Sequence, residues 1–185
     1  MRVLVINGHP GVGKTTFEKF LQDILGEDYV FIESTIDPIK ELARQVGWDG
    51  TKTARDRQFL SDLKNLCVGY NDFCFKYIEQ KIKYYDDMAR GYGLSTDAYV
   101  LLVDCREPSE IKKLVDAFGA TTVLVTRDEV EQEYSNKSDA EVDNYTYDII
   151  VKNNEDLIHL YGEAVTLCLC VLLDNLRRAN REKNG

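Results

Sequence analysis

The stretch VLVINGHPGVGKTTFEKFL, residues 3–21, decides the fold. An apolar run reaches Asn7, a glycine-rich turn follows, and an apolar periodic segment begins after Thr16. Gly8 and Gly13 bracket four residues and are followed at once by Lys14 and the hydroxyl of Thr15. Gly-x-x-x-x-Gly-Lys-Thr is the spacing of a loop that wraps a polyphosphate. Glycines let successive backbone N–H groups turn inward at the mouth of a helix, whose dipole favours an anion. Lys14 is expected to reach the β- and γ-phosphates, and Thr15 to complete a Mg²⁺ shell. The nucleotide-binding set is therefore Gly8, Gly11, Val12, Gly13, Lys14, Thr15 and Thr16. Residues 2–7 read as a buried strand and 17–25 as a helix, the context such a loop requires.

Outward from that loop the chain alternates between strands and helices. Residues 29–33 (YVFIE) read as a second strand, and 36–46 as a short helix with Asp37 and Pro38 at its start. Between residues 54 and 89, apolar side chains recur every three or four positions, which predicts two helices meeting near Asn71-Asp72 with the stripe facing the core. AYVLLVDC (98–105) is a buried strand ending in acid, residues 108–119 a helix closed by Gly119, and 121–127 another strand. Residues 128–146 are polar and acidic, a loop or lid. A last strand (147–151) and a C-terminal helix (155–178) follow. Alternation of this kind predicts a parallel sheet with helices on both faces.

Composition narrows the class. The chain has 185 residues, 44% of them hydrophobic and 30% charged, ordinary material for one domain with a sizeable core. No signal peptide or membrane-length apolar run is evident, so a cytoplasmic location without membrane attachment is expected. Five cysteines contain no Cys-x-x-Cys pair, and free thiols are expected. A net charge of −9 argues against a nucleic-acid partner. An acidic protein that takes anionic nucleotides must gather its cations locally.

In open parallel sheets, ligands bind at the carboxyl ends of the strands. That rule collects Ser34, Thr35 and Asp37 after the second strand, Asp104 and Arg106 after the third, and Arg127 after the fourth. Asp104, closing an apolar strand beside a phosphate loop, is placed to hold Mg²⁺ with Thr15. Arg106 and Arg57 offer rigid forks to phosphate oxygens and are expected around a second phosphorylated substrate. Residues 136–139 (NKSD) mimic a guanine-reading motif, but they follow the polar EVEQEYS where such a motif follows a buried strand.

The segments GHPGVGKTT, STIDPIKELARQVGWDGTKTARDRQFLSDLK, VDCREPSEI, FGATTVLVTR and YDIIVKNNEDLIHL together resemble the phosphate-loop nucleoside monophosphate kinases. Within them the chain looks most like the deoxynucleoside monophosphate kinases of phages and bacteria. The resemblance implies a three-layer P-loop sandwich with a five-stranded parallel sheet. It implies ATP-dependent phosphoryl transfer to a nucleoside or deoxynucleoside monophosphate, with Mg²⁺ as cofactor and small nucleotides as partners, in a monomer or homodimer. Carried over by position, Thr35, Asp37, Lys40, Arg57 and Arg106 would hold the acceptor, in a helical segment over about residues 34–92. Lys14, Arg106 and Arg127 would be catalytic, and Lys137, in a short lid over 127–146, would close on ATP. Kinases of other small acceptors, of the dephospho-coenzyme A or phosphomevalonate type, share the pattern. A non-catalytic nucleotide-binding module is the alternative of a different class.

Overall fold

The computed structural model describes residues 1–128 and 141–183, with side chains as far as residue 173 of the last helix. Its sheet has five strands: β1 (Arg2–Asn7), β2 (Val30–Ser34), β3 (Val100–Asp104), β4 (Thr121–Thr126) and β5 (Ile149–Lys152). All pairings are parallel, in the order β2-β3-β1-β4-β5. The described helices are α1 (Lys14–Leu25), α2 (Asp37–Gln45), α3 (Ala54–Asn71), α4 (Phe73–Gly91), α5 (Pro108–Phe118) and α6 (Leu157–Lys183). None is long and apolar enough to cross a membrane.

β1 is central, and successive strand side chains face opposite ways. Leu4 and Ile6 therefore enter one core, with Phe17 and Leu21 of α1 and Leu160, Ala164 and Leu167 of α6. Val3 and Val5 enter the other, with Ile78 and Ile82 of α4 and Ile111 and Leu114 of α5. A strand buried on both faces reads as an unbroken apolar run, the pattern of parallel sheets. The result is the expected α/β three-layer sandwich with a phosphate loop between β1 and α1.

Several boundaries and one packing expectation differ. β2 begins at Val30 because the Tyr29 amide closes a turn onto the Gly26 carbonyl. β5 and α6 each start two residues later than the hydrophobic pattern suggests. The α3–α4 joint falls where expected, at Asp72, which takes a left-handed φ of 56°. The apolar stripe of α3 does not form core. Its one buried residue is Lys64, whereas Leu66 and Tyr70 are 72% and 87% exposed. The reason is position: α3 packs on α2 and α4 instead of on the sheet. The α4 half of the stripe is core, at Cys74, Ile78 and Ile82. A polar lock fixes α4 to β2, in which the buried Glu33 carboxylate accepts from Tyr77 (2.6 Å) and Tyr85 (2.5 Å) and pairs with Lys81 (2.8 Å). Burial alone would raise the Glu33 pKa, but these donors more than offset it and leave it lowered.

Candidate active site

The loop after β1 is shaped by close approach. A Cβ on Gly8 would lie 2.6 Å from the Val125 carbonyl oxygen of β4, so only glycine lets the chain turn there. Gly13 has φ 94° and a virtual Cβ 2.4 Å from Asn153 Nδ2. Asn153 is buried, and its amide donates to the Val12 carbonyl at 2.9 Å. Gly13 caps α1 without a side-chain bond, which directs the first N–H groups of that helix into the loop. Gly11, Val12, Thr15 and Thr16 complete the cradle, with Val12 buried and the Thr15 side chain exposed.

Lys14, at the start of α1, bonds Asp104 at the end of β3, and its ammonium is 3.5 Å from Glu18. Glu18 is itself buried. Burial, then hydrogen bonding and charge from Asp104, raise its pKa to about 8, with Lys14 pulling the other way. Glu18 is thereby shifted toward its protonated form. Asp104 and Thr15 offer oxygen donors, the chemistry a hard cation such as Mg²⁺ takes. Among the described residues no group of three or more His, Cys, Asp and Glu could hold a metal by itself. A Mg²⁺ ion here would thus complete its shell with water and phosphate oxygens, its usual habit.

From Lys14 and Asp104 a cleft of about 400 Å³ runs toward α2 and α3. Its wall brings together Thr35, Lys40, Arg57 and Arg106, four of the five residues expected around an acceptor. Asp37, the fifth, is not in the wall. It occupies the first turn of α2 without capping it, and its carboxylate bonds Lys40 at 2.9 Å. Ile36, and not Asp37, holds the cap position of α2. Arg127 follows β4 directly and is half-buried, but lies outside this wall. Lys137 and the NKSD segment fall outside the described residues.

Four features escaped the sequence reading. Trp48 and Lys52, from the turn after α2, also line the cleft. Lys64 closes its floor, its ammonium held by Glu107 (2.8 Å) and Glu110 (2.9 Å) at the start of α5. Burial lowers the Lys64 pKa, but Glu110 and then Glu107 outweigh it and leave it raised. Asn7 organises the loop entrance: its Oδ1 accepts from the Gly8 amide at 2.7 Å, while its Nδ2 donates to Tyr147 Oη (2.7 Å) and the Arg106 carbonyl (3.3 Å). The fourth is a brace between His9 Nε2 and Asp143 at 3.1 Å, tying the loop to the segment before β5. The signal for Asn7 was visible, a single amide ending an apolar strand. Lys64 and Glu18 left a fainter one, a charge on the buried side of a helix.

No family model matches the chain, and no curated protein matches it in sequence. Among solved structures it is similar to a sugar kinase from Janibacter sp., with 15% identity and a TM-score of 0.43, over 90% of this chain and 93% of that one. It is similar to shikimate kinase from Aquifex aeolicus, with 12% identity and a TM-score of 0.43, over 95% and 98% of the two chains. An uncharacterised protein from Eubacterium ventriosum superposes with 13% identity and a TM-score of 0.40, over 91% and 98%. Likeness this loose bears on neither substrate nor reaction.

Proposed function

We propose that the chain transfers the γ-phosphoryl group of ATP to a nucleoside or deoxynucleoside monophosphate, giving the diphosphate. The observation that carries this reading is the continuity of phosphate loop and cationic cleft: Lys14 belongs to both, and Arg57 and Arg106 face the same space. An enclosure that takes a polyphosphate at one end and a second anion at the other is what in-line phosphoryl transfer requires.

In this reading the loop amides and Lys14 bind the β- and γ-phosphates. Lys14 leaves Asp104 to do so, which frees that carboxylate to join Thr15 as a cation ligand. Mg²⁺ bound there would neutralise charge on the β- and γ-oxygens. Arg57 and Arg106 hold the acceptor phosphate in line and spread the charge of the transition state. Arg127 and Lys137 are proposed to close over the reaction and exclude water. A monophosphate oxygen is already ionised near neutral pH and needs no general base. The engagement of Asp37 by Lys40 supports such an acceptor over a hydroxyl one, which would want a free carboxylate within reach.

The test is ADP release from ATP with a panel of ribo- and deoxyribonucleoside monophosphates. Acceptor-dependent turnover with one or more of them is expected. Turnover with none, alongside ATP binding, would leave a nucleotide-binding module without this activity.

A further inference from the structure

The cluster of Lys64, Glu107 and Glu110 sits where the cleft has most to lose from stray charge. Glu107 directly follows Arg106 and lines the cleft beside it, and Glu110 lies one turn further along α5. Lys64 lies seven residues beyond Arg57 on α3, two helical turns along the same face. Its ammonium meets both carboxylates within 2.9 Å, its side chain is 10% exposed, and that of Glu110 is 5% exposed. Cys105 Sγ adds a weak contact to Glu110 at 3.6 Å. One buried cation thus balances two acids in the wall of a cleft read here as an anion site.

We infer that Lys64 is a positioning residue of the acceptor site: it holds Glu107 and Glu110 so that their charge neither repels the acceptor phosphate nor competes for Arg106 and Arg57. The inference rests on the anion-binding role of the cleft and not on which anion is the substrate. It differs in sign from a plain structural tie between α3 and α5. A tie is weakened by any break in the cluster, whereas charge compensation has opposite outcomes depending on which partner is removed.

Three variants separate the two: Lys64→Met, Glu107→Gln, and both together. The first leaves two uncompensated acids, the second a neutral Lys64–Glu110 pair, and the third a single acid, the net charge of the intact cluster. Binding of inorganic phosphate is followed through the fluorescence of Trp48, the only tryptophan of the chain and part of the same wall. Acceptor KM and ATP KM are measured in parallel with whichever monophosphate the wild-type chain accepts. Lys64→Met should weaken anion affinity and raise acceptor KM about tenfold, the order that one partly screened unit charge gives. Glu107→Gln should strengthen affinity severalfold, and the double variant should return to near wild type, with ATP KM little changed throughout. Glu107 is the more exposed of the two acids, so its variant reports even if Lys64→Met fails to fold. Weaker phosphate binding by Glu107→Gln, or no recovery in the double variant, would overturn the inference. If the wild-type chain used no nucleoside monophosphate but the inorganic phosphate series kept its signs, the charge role would stand and the monophosphate kinase reading would fall.

Discussion

Gly13→Ala probes whether the phosphate loop owes its shape to the strand end behind it. Two costs follow from the geometry. The backbone sits at φ 94°, where a side chain costs roughly 1–2 kcal/mol. The new methyl would lie 2.4 Å from Asn153 Nδ2, so the amide must leave the Val12 carbonyl and abandon a buried hydrogen bond worth roughly 1–3 kcal/mol when orphaned. Together they come to about 3 kcal/mol, or a fall in Tm of about 6–12 °C for a chain of this size. Thermal melting followed by circular dichroism gives the total, and a double-mutant cycle with Asn153→Ala isolates the clash. In the Asn153→Ala background, Gly13→Ala should cost only the backbone share, a coupling of about 1–2 kcal/mol. Additive effects, or a Gly13→Ala chain that melts like the wild type, would refute the claim that Asn153 seats the loop.

Lys14→Met should reduce phosphoryl transfer to near background while the chain still melts cooperatively, because the packing of the stem survives and only the cation on the phosphates is lost. Arg57→Ala and Arg106→Ala should each raise acceptor KM and lower kcat, by up to about 10³ for an arginine on the transferring group, with ATP affinity nearly unchanged by calorimetry. Asp37→Asn should cost less than about tenfold in kcat with a monophosphate acceptor, and a loss of several hundredfold at constant KM would indicate a hydroxyl acceptor instead. Glu18 binds its proton more tightly in the folded chain (pKa about 8) than at the ordinary 4.5, so its contribution to stability is full at low pH and declines as pH rises from 4.5 through 8. Glu18→Gln should flatten that decline, gaining on the wild type by a few kcal/mol at pH 8 in denaturant titrations; a parallel pH dependence in both chains would count against a buried neutral Glu18.

The parts of this structure that were legible in the sequence are those governed by short-range rules. β1 could be read because an unbroken apolar strand has only one home, the middle of a sheet with helices on both faces. The phosphate loop could be read because each glycine answers a local need, and the structure supplies the reasons in Val125 and Asn153. Thr35 and Arg106 came together because strand carboxyl ends converge, a property of topology that needs no distances, whereas Lys40 of α2 and Arg57 of α3 join them from helices, as the family resemblance implied. The α3 stripe failed for the complementary reason. Periodicity reveals that a segment is helical, but not whether the face it creates meets the sheet or only another helix. The pairings that shape the site join residues far apart in sequence, as Lys14 to Asp104, Lys64 to Glu110 and Asn7 to Tyr147, and no local pattern announces them.

Charge shows where such local reading stops and geometry takes over. A net charge of −9 required that cations for an anionic ligand be gathered, but not where. The cleft answers that, since among the described residues six of its wall are Lys or Arg and two are acidic. Each of those two acids has a cation against it, Lys14 on Asp104 and Lys64 on Glu107. The two pairs are not equivalent. Asp104 sits at the glycine-rich loop, where under the proposed function an arriving polyphosphate would draw Lys14 away and leave the carboxylate to a metal ion. Lys64 is locked between two carboxylates below the arginines, where releasing it would bury unpaired charge at a cost of several kcal/mol. In the proposed reading one pair would exchange partners when the donor binds and the other would hold, and that difference in burial and partner number would give each end of the cleft its own electrostatic task.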